Sequence, residues 1–114
     1  MHLDNFTEFQ NIDTLNMQAE IDGLPHQFKN AYEHSFSYDL AGLQKPEIIL
    51  VAGMGGSAIG ADLLSTYCAP ICPVPIISLR EYTLPVWARE HRTLVVASSH
   101  SGNTEETLSV FDQA

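Results

Sequence analysis

Ile48-Ile49-Leu50-Val51-Ala52-Gly53-Met54-Gly55-Gly56-Ser57-Ala58-Ile59-Gly60-Ala61-Asp62-Leu63-Leu64 runs from an unbroken apolar stretch through a glycine turn into a helical pattern. Apolar residues without alternation mark a strand buried on both faces, the habit of parallel sheets. The stretch therefore reads as strand, turn and helix, the opening of a β-α-β unit. Gly55 and Gly56 carry no Cβ, so backbone N–H groups there can approach an anion closely. Ser57 adds a hydroxyl at the helix start. A tight turn that only packs helix on strand would account for the glycines equally well.

Downstream, Ala69-Pro70 through Pro73 ends the helix, and Val74 to Leu79 reads as a second strand with Pro75 at its start, where a missing donor is tolerated. Arg80 to Arg92 reads as a loop with one helical turn, carrying Tyr82-Thr83-Leu84-Pro85 and Trp87. A third strand, Thr93 to Ser98, leads into Ser99-His100-Ser101-Gly102-Asn103-Thr104-Glu105-Glu106-Thr107, and a helical pattern continues through Leu108 and Phe111. This order predicts an α/β fold, a three-layer α/β/α parallel sheet of flavodoxin-like order. In that order the second and third strands flank the first. The loops leaving strands one and three then diverge at the switch point, where ligands bind.

Upstream, residues 1 to about 12 are polar with scattered Leu3, Phe6 and Phe9, and read as a loosely held arm. From Thr14 a helix is expected, because Met17, Ile21, Leu24, Phe28 and Tyr32 fall on one face. Gly23-Leu24-Pro25 interrupts that face, so two short helices or one kinked helix are expected, ending near Ser35. Ser37 to Pro46 is a connector. The chain thus divides into an N-terminal helical arm, residues 1–46, and an α/β portion, residues 47–114. The apolar stripe of the arm is expected to pack on the sheet or against a second subunit.

The second loop has the chemistry of an anion seat. N–H groups in the first turn of a helix lack intrahelical partners, and the helix dipole adds positive character there. Ser99, Ser101 and Thr104 can donate hydrogen bonds without carrying charge. Asn103 with Glu106 has the spacing of a capping box, and Glu105 and Glu106 suit the positive end of the dipole. Capping leaves the three hydroxyls unexplained, and a ligand explains them.

Composition narrows the partners. The 114 residues are 45% hydrophobic and 17% charged, an ordinary globular balance for one small domain or a piece of a larger protein. A net charge of −9 leaves no basic patch to neutralise a nucleic-acid backbone, so no nucleic acid is expected. Hydroxyls and amides can still hold a small phosphorylated ligand. No signal peptide or run of ~20 apolar residues is present, so no membrane is expected and the reading is cytoplasmic. Cys68 and Cys72 are expected as reduced thiols, and a metal site between them would need two further ligands. His2, His26, His34 and His91 show no ligand spacing.

Gly53-Met54-Gly55-Gly56-Ser57-Ala58-Ile59-Gly60-Ala61-Asp62, taken with Ser99 to Thr107, resembles a sugar isomerase (SIS) domain. More narrowly, it resembles the bifunctional phosphoglucose/phosphomannose isomerases, and Tyr82-Thr83-Leu84-Pro85 fits that branch. The resemblance covers roughly residues 14 to 114. It implies that Ser99, Ser101 and Thr104 hold the phosphate of a sugar phosphate, and that Gly55, Gly56 and Ser57 contact the sugar and its phosphate end. It further implies an aldose–ketose isomerase that interconverts glucose 6-phosphate, and mannose 6-phosphate, with fructose 6-phosphate through an enediol. No cofactor or metal is expected, and the family is a dimer.

Family members are much longer, with paired SIS domains, and draw their glutamate base, ring-opening histidine and substrate-contacting arginine from later segments. The chain is accordingly expected to be an N-terminal part of a SIS protein, holding the phosphate cradle with none of the catalytic residues. His100 lies at a position to which the resemblance assigns no catalytic group. A dinucleotide fingerprint is also satisfied by Gly53, Gly55 and Ala58, but it leaves the serine-rich loop without a role. A hydrolase elbow fails because Ala58-Ile59 follows Ser57. The alternative from another class is a non-catalytic SIS module that senses a phosphosugar.

Overall fold

The computed structural model describes residues 5–34 and 41–114. His2, Leu3, the expected helix end near Ser35 and the first part of the connector from Ser37 lie outside the described residues. The chain forms two compact units, Met1–Gly42 and Leu43–Ala114.

The first unit carries helices α1 (Phe6–Ile12) and α2 (Met17–Glu33). The expected loose arm is therefore helical over α1, where the Thr7 N–H donates to the Asn5 side chain at 3.2 Å. Asp13 then starts α2: its carboxylate accepts from the N–H groups of Met17 at 2.7 Å and Gln18 at 2.8 Å. The adjoining N-cap residue, Asn16, is left-handed (φ 55°) and makes no side-chain cap. α2 runs through Pro25 as a single helix, so of the two expected arrangements the pair of short helices is not formed. A proline's φ suits a helix, and its penalty of about 3 kcal/mol is local: one lost donor and one crowded carbonyl. Met17, Ile21, Leu24, Phe28 and Tyr32 are exposed along this helix.

The second unit is built from β1 (Ile48–Ala52), α3 (Gly55–Cys68), β2 (Ile76–Leu79), α4 (Val86–Glu90), β3 (Thr93–Ala97) and α5 (Glu105–Gln113). Its described residues form a three-stranded parallel sheet in the order β2-β1-β3, as the sequence predicts. Ile49 pairs with Ile76 and Leu94, and Ala52 with Leu79 and Ala97. The central strand explains the unbroken apolar run, since Leu50 and Val51, which face opposite ways, are both buried. Leu50 and Ala52 meet Leu79, Leu84, Ala88 and Val110 in the core, with Trp87 and Val95 packed beside it. The opposite face takes α3, which lies mainly along β2, with Ala58 and Ala61 buried. The right-handed rule for parallel crossovers gives this layering.

Polar pairs fix both ends of the sheet. At the amino ends of the strands, Arg92 donates to Glu47 Oε1 at 2.9 Å while the Glu47 N–H donates to the Arg92 carbonyl at 2.8 Å. At the carboxyl end of β2, Arg80 pairs with Asp62 of α3. Cys68 and Cys72 are free thiols, as expected.

Candidate functional site

The site begins with Gly53, which closes β1. Its N–H donates to the Leu79 carbonyl at 3.1 Å, and the Ser98 N–H donates to the Ala52 carbonyl at 2.8 Å, so the strand ends are level. A Cβ on Gly53 would stand 2.9 Å from the Ser98 carbonyl oxygen and 3.2 Å from Ser57 Cβ. Only glycine lets the turn after β1 lie this close to the turn after β3. That approach brings the start of α3 beside the serine-rich loop.

The first half is more helical than the sequence predicts. α3 opens at Gly55, so Gly55, Gly56 and Ser57 are its first turn rather than a loop before it. Gly55 has φ +53°, and both glycines leave open space where a side chain would stand. No side chain among the described residues caps this helix start. The Ser57 N–H donates to the Met54 carbonyl at 3.1 Å, which leaves the N–H groups of Gly55 and Gly56 as the open donors of this helix start.

In the second half, Ser99, Ser101 and Thr104 converge. Ser99 Oγ lies 2.9 Å from Thr104 Oγ1, and Ser101 Oγ lies 3.5 Å from each of the other two hydroxyl oxygens. Backbone amides hold the triangle from below: the Gly102 N–H donates to Ser99 Oγ at 3.1 Å and the Asn103 N–H to Ser101 Oγ at 3.3 Å. Gly102 can turn the loop this sharply because it sits at φ +72°. With a backbone donor on Ser99 Oγ and on Ser101 Oγ, the protons of these two hydroxyls can rotate toward an incoming oxyanion. Ser57 stands across Gly53 from this triangle and is not hydrogen-bonded into it.

The expected capping box is not formed. The N-cap of α5 is Thr104, one residue later than the sequence predicts, and no side chain among the described residues caps the helix. Thr104 Oγ1 is turned to Ser99 and Ser101 instead of to its own first turn. The N–H groups of Glu105, Glu106 and Thr107 thus join the hydroxyls as donors. His100 is exposed beside them.

Two residues without a predicted role border this cluster. Thr107 is 3% exposed, its hydroxyl has no partner among the described residues, and it lines a cleft with Ser99, Gly102, Leu108 and Phe111. Tyr82 spans α5 from the loop after β2. Its carbonyl accepts from Ser109 Oγ and Gln113 Nε2, both at 2.8 Å, and its hydroxyl donates to Glu105 Oε2 at 3.4 Å. Glu106, then burial and Glu105, push the Tyr82 phenol above its ordinary pKa. Thr107 was visible as the fourth hydroxyl between Ser99 and Thr107. Nothing local to Tyr82 announces contacts made across the fold.

The geometry defines a class: a parallel α/β unit with two uncapped helix starts, one glycine-lined and one hydroxyl-lined, following the adjacent strands β1 and β3 at the switch point, where an oxyanion can be seated. Particular relatives agree with that class. The chain is 39% identical over 99 residues to a bifunctional phosphoglucose/phosphomannose isomerase of Caldicellulosiruptor bescii, covering 86% of the chain and 29% of the relative. It is 40% identical over 67 residues to an isomerase of the same description from Thermoplasma acidophilum, covering 58% of the chain and 20% of the relative. A D-glucosamine-6-phosphate 4-epimerase of Sulfolobus acidocaldarius is 37% identical over 88 residues, covering 77% of the chain and 27% of the relative. The chain therefore spans less than a third of the length of these relatives. No family model matches the chain, and no solved structure gives a significant match.

Proposed function

We propose that this chain is the phosphosugar-binding part of an aldose–ketose isomerase acting on glucose 6-phosphate and mannose 6-phosphate to give fructose 6-phosphate. One observation carries the reading: the triangle of Ser99, Ser101 and Thr104 hydroxyls beside an uncapped helix start. Those hydroxyls and the N–H groups of Glu105, Glu106 and Thr107 would take the phosphate, while Gly55, Gly56 and Ser57 would line the side toward the sugar. Binding energy gathered at the phosphate positions C1 and C2, remote from it, and so favours proton transfer between them.

The relatives extend well beyond the matched stretch, and the reading assigns the acid–base groups to such a region. We place the chain in a SIS-type fold, in a cytoplasmic homodimer. The free thiols and the exposed apolar row of α2 support that placement.

The epimerase relative supports a second reading, in which the same phosphate seat serves epimerisation of an amino sugar phosphate. Coupled assays on the full-length gene product, with glucose 6-phosphate, mannose 6-phosphate and glucosamine 6-phosphate, separate the two. Fructose 6-phosphate formed from the first two substrates supports the isomerase. Turnover of glucosamine 6-phosphate alone would replace it with the epimerase. Isomerase turnover by residues 1–114 alone would contradict the division between binding and chemistry.

A further inference from the structure

Glu105 is the first residue of α5 and follows directly on Thr104, the corner of the hydroxyl triangle. A carboxylate in a first helical turn is attracted to that turn's N–H groups and to the dipole. Those are the donors assigned above to the phosphate, and no side chain among the described residues occupies them as a cap. Glu105 is thus a built-in competitor for the anion site. The Tyr82 hydroxyl meets Glu105 Oε2 at 3.4 Å, from a backbone anchored to α5 by Ser109 and Gln113. Gln113 also accepts from the Leu84 N–H at 3.0 Å and from Arg89 at 3.2 Å, so the strap carrying Tyr82 is tied to α5 at several points.

We propose that Tyr82 is a positioning residue for anion binding: its hydroxyl holds the Glu105 carboxylate aside and keeps the α5 donors open to phosphate. This rests on the phosphosugar reading. It adds a specific claim, that the site contains its own competing anion and a residue that restrains it. Loss of the phenol hydroxyl frees the carboxylate to fold onto the helix start. Loss of the carboxylate's charge makes the phenol dispensable.

The test is the affinity of the full chain for glucose 6-phosphate, measured by calorimetry for wild type, Tyr82→Phe, Glu105→Gln and the double variant, with Ser101→Ala as a control. Tyr82→Phe should weaken binding by roughly 3- to 10-fold, the scale of one hydrogen bond. The double variant should return to the wild-type value or better, a rescue that a merely structural tyrosine would not give. Unchanged affinity in Tyr82→Phe, or a double variant as weak as Tyr82→Phe, overturns the proposal. Should Ser101→Ala bind as tightly as wild type, the cradle reading itself falls, and this inference falls with it.

Discussion

At the scale of single residues, Gly53 does more than turn the chain. It is the point at which the α3 start and the serine loop touch, and an added methyl would meet the Ser98 carbonyl, which is backbone and cannot rotate away. Gly53→Ala should therefore destabilise the fold by about 1–3 kcal/mol, the usual penalty for overpacking, read from the urea midpoint. A midpoint equal to wild type would mean the two turns are not pressed together. Ser101→Ala and Thr104→Val act differently: each removes one hydroxyl of the triangle, and Ser101→Ala also removes the acceptor of the Asn103 N–H. Each should weaken sugar phosphate binding by roughly 0.5–3 kcal/mol, the range for a hydrogen bond to a neutral or charged group. That the three hydroxyls lie together was legible in the sequence because all three fall within one short loop between a strand and a helix. The cap was not. Asn103 and Thr104 are both good N-caps, and the choice between them depends on Ser99, five residues from Thr104, drawing the threonine hydroxyl away from its own helix.

At the scale of elements, the strands were readable because β1 is buried on both faces and carries no polar break. α2 was less so. Local rules allow either two short helices or one kinked helix at Pro25, and the chain forms the single helix, with the proline's penalty confined to its own turn. The strap from Tyr82 to Leu84 was not readable at all, since its partners lie in α5, far along the chain. α3 is held to the end of β2 by Asp62 and Arg80, and the guanidinium keeps the Asp62 carboxyl below its ordinary pKa. Arg92 does the same for Glu47 between β1 and β3. A carboxyl with a depressed folded pKa contributes fully above its ordinary value, and the contribution is lost as pH falls through the folded value. Wild type should therefore lose stability in acid more steeply than Asp62→Asn. Urea midpoints for the two proteins should differ at neutral pH and converge in acid. A constant difference across that range would show that the ion pair is not the source.

At the scale of the molecule, the unit of residues 43–114 presents its candidate site at the carboxyl ends of a parallel sheet, where open α/β folds bind ligands. In the proposed homodimer the exposed apolar row of α2 would carry the contact. Sedimentation velocity should give a species of twice the chain mass, and Ile21→Asp with Phe28→Asp should shift it toward the monomer. A monomer in the wild-type protein would contradict the homodimer. The central claim is that phosphate sits on the hydroxyl triangle and the start of α5. Titration of glucose 6-phosphate into the isotopically labelled chain, followed through backbone amide resonances, tests it most directly. Glucose 6-phosphate should give saturable shifts in Gly102, Glu105, Glu106 and Thr107, and glucose should give none. Equal shifts with the unphosphorylated sugar, or shifts that leave these four amides unmoved, would contradict it.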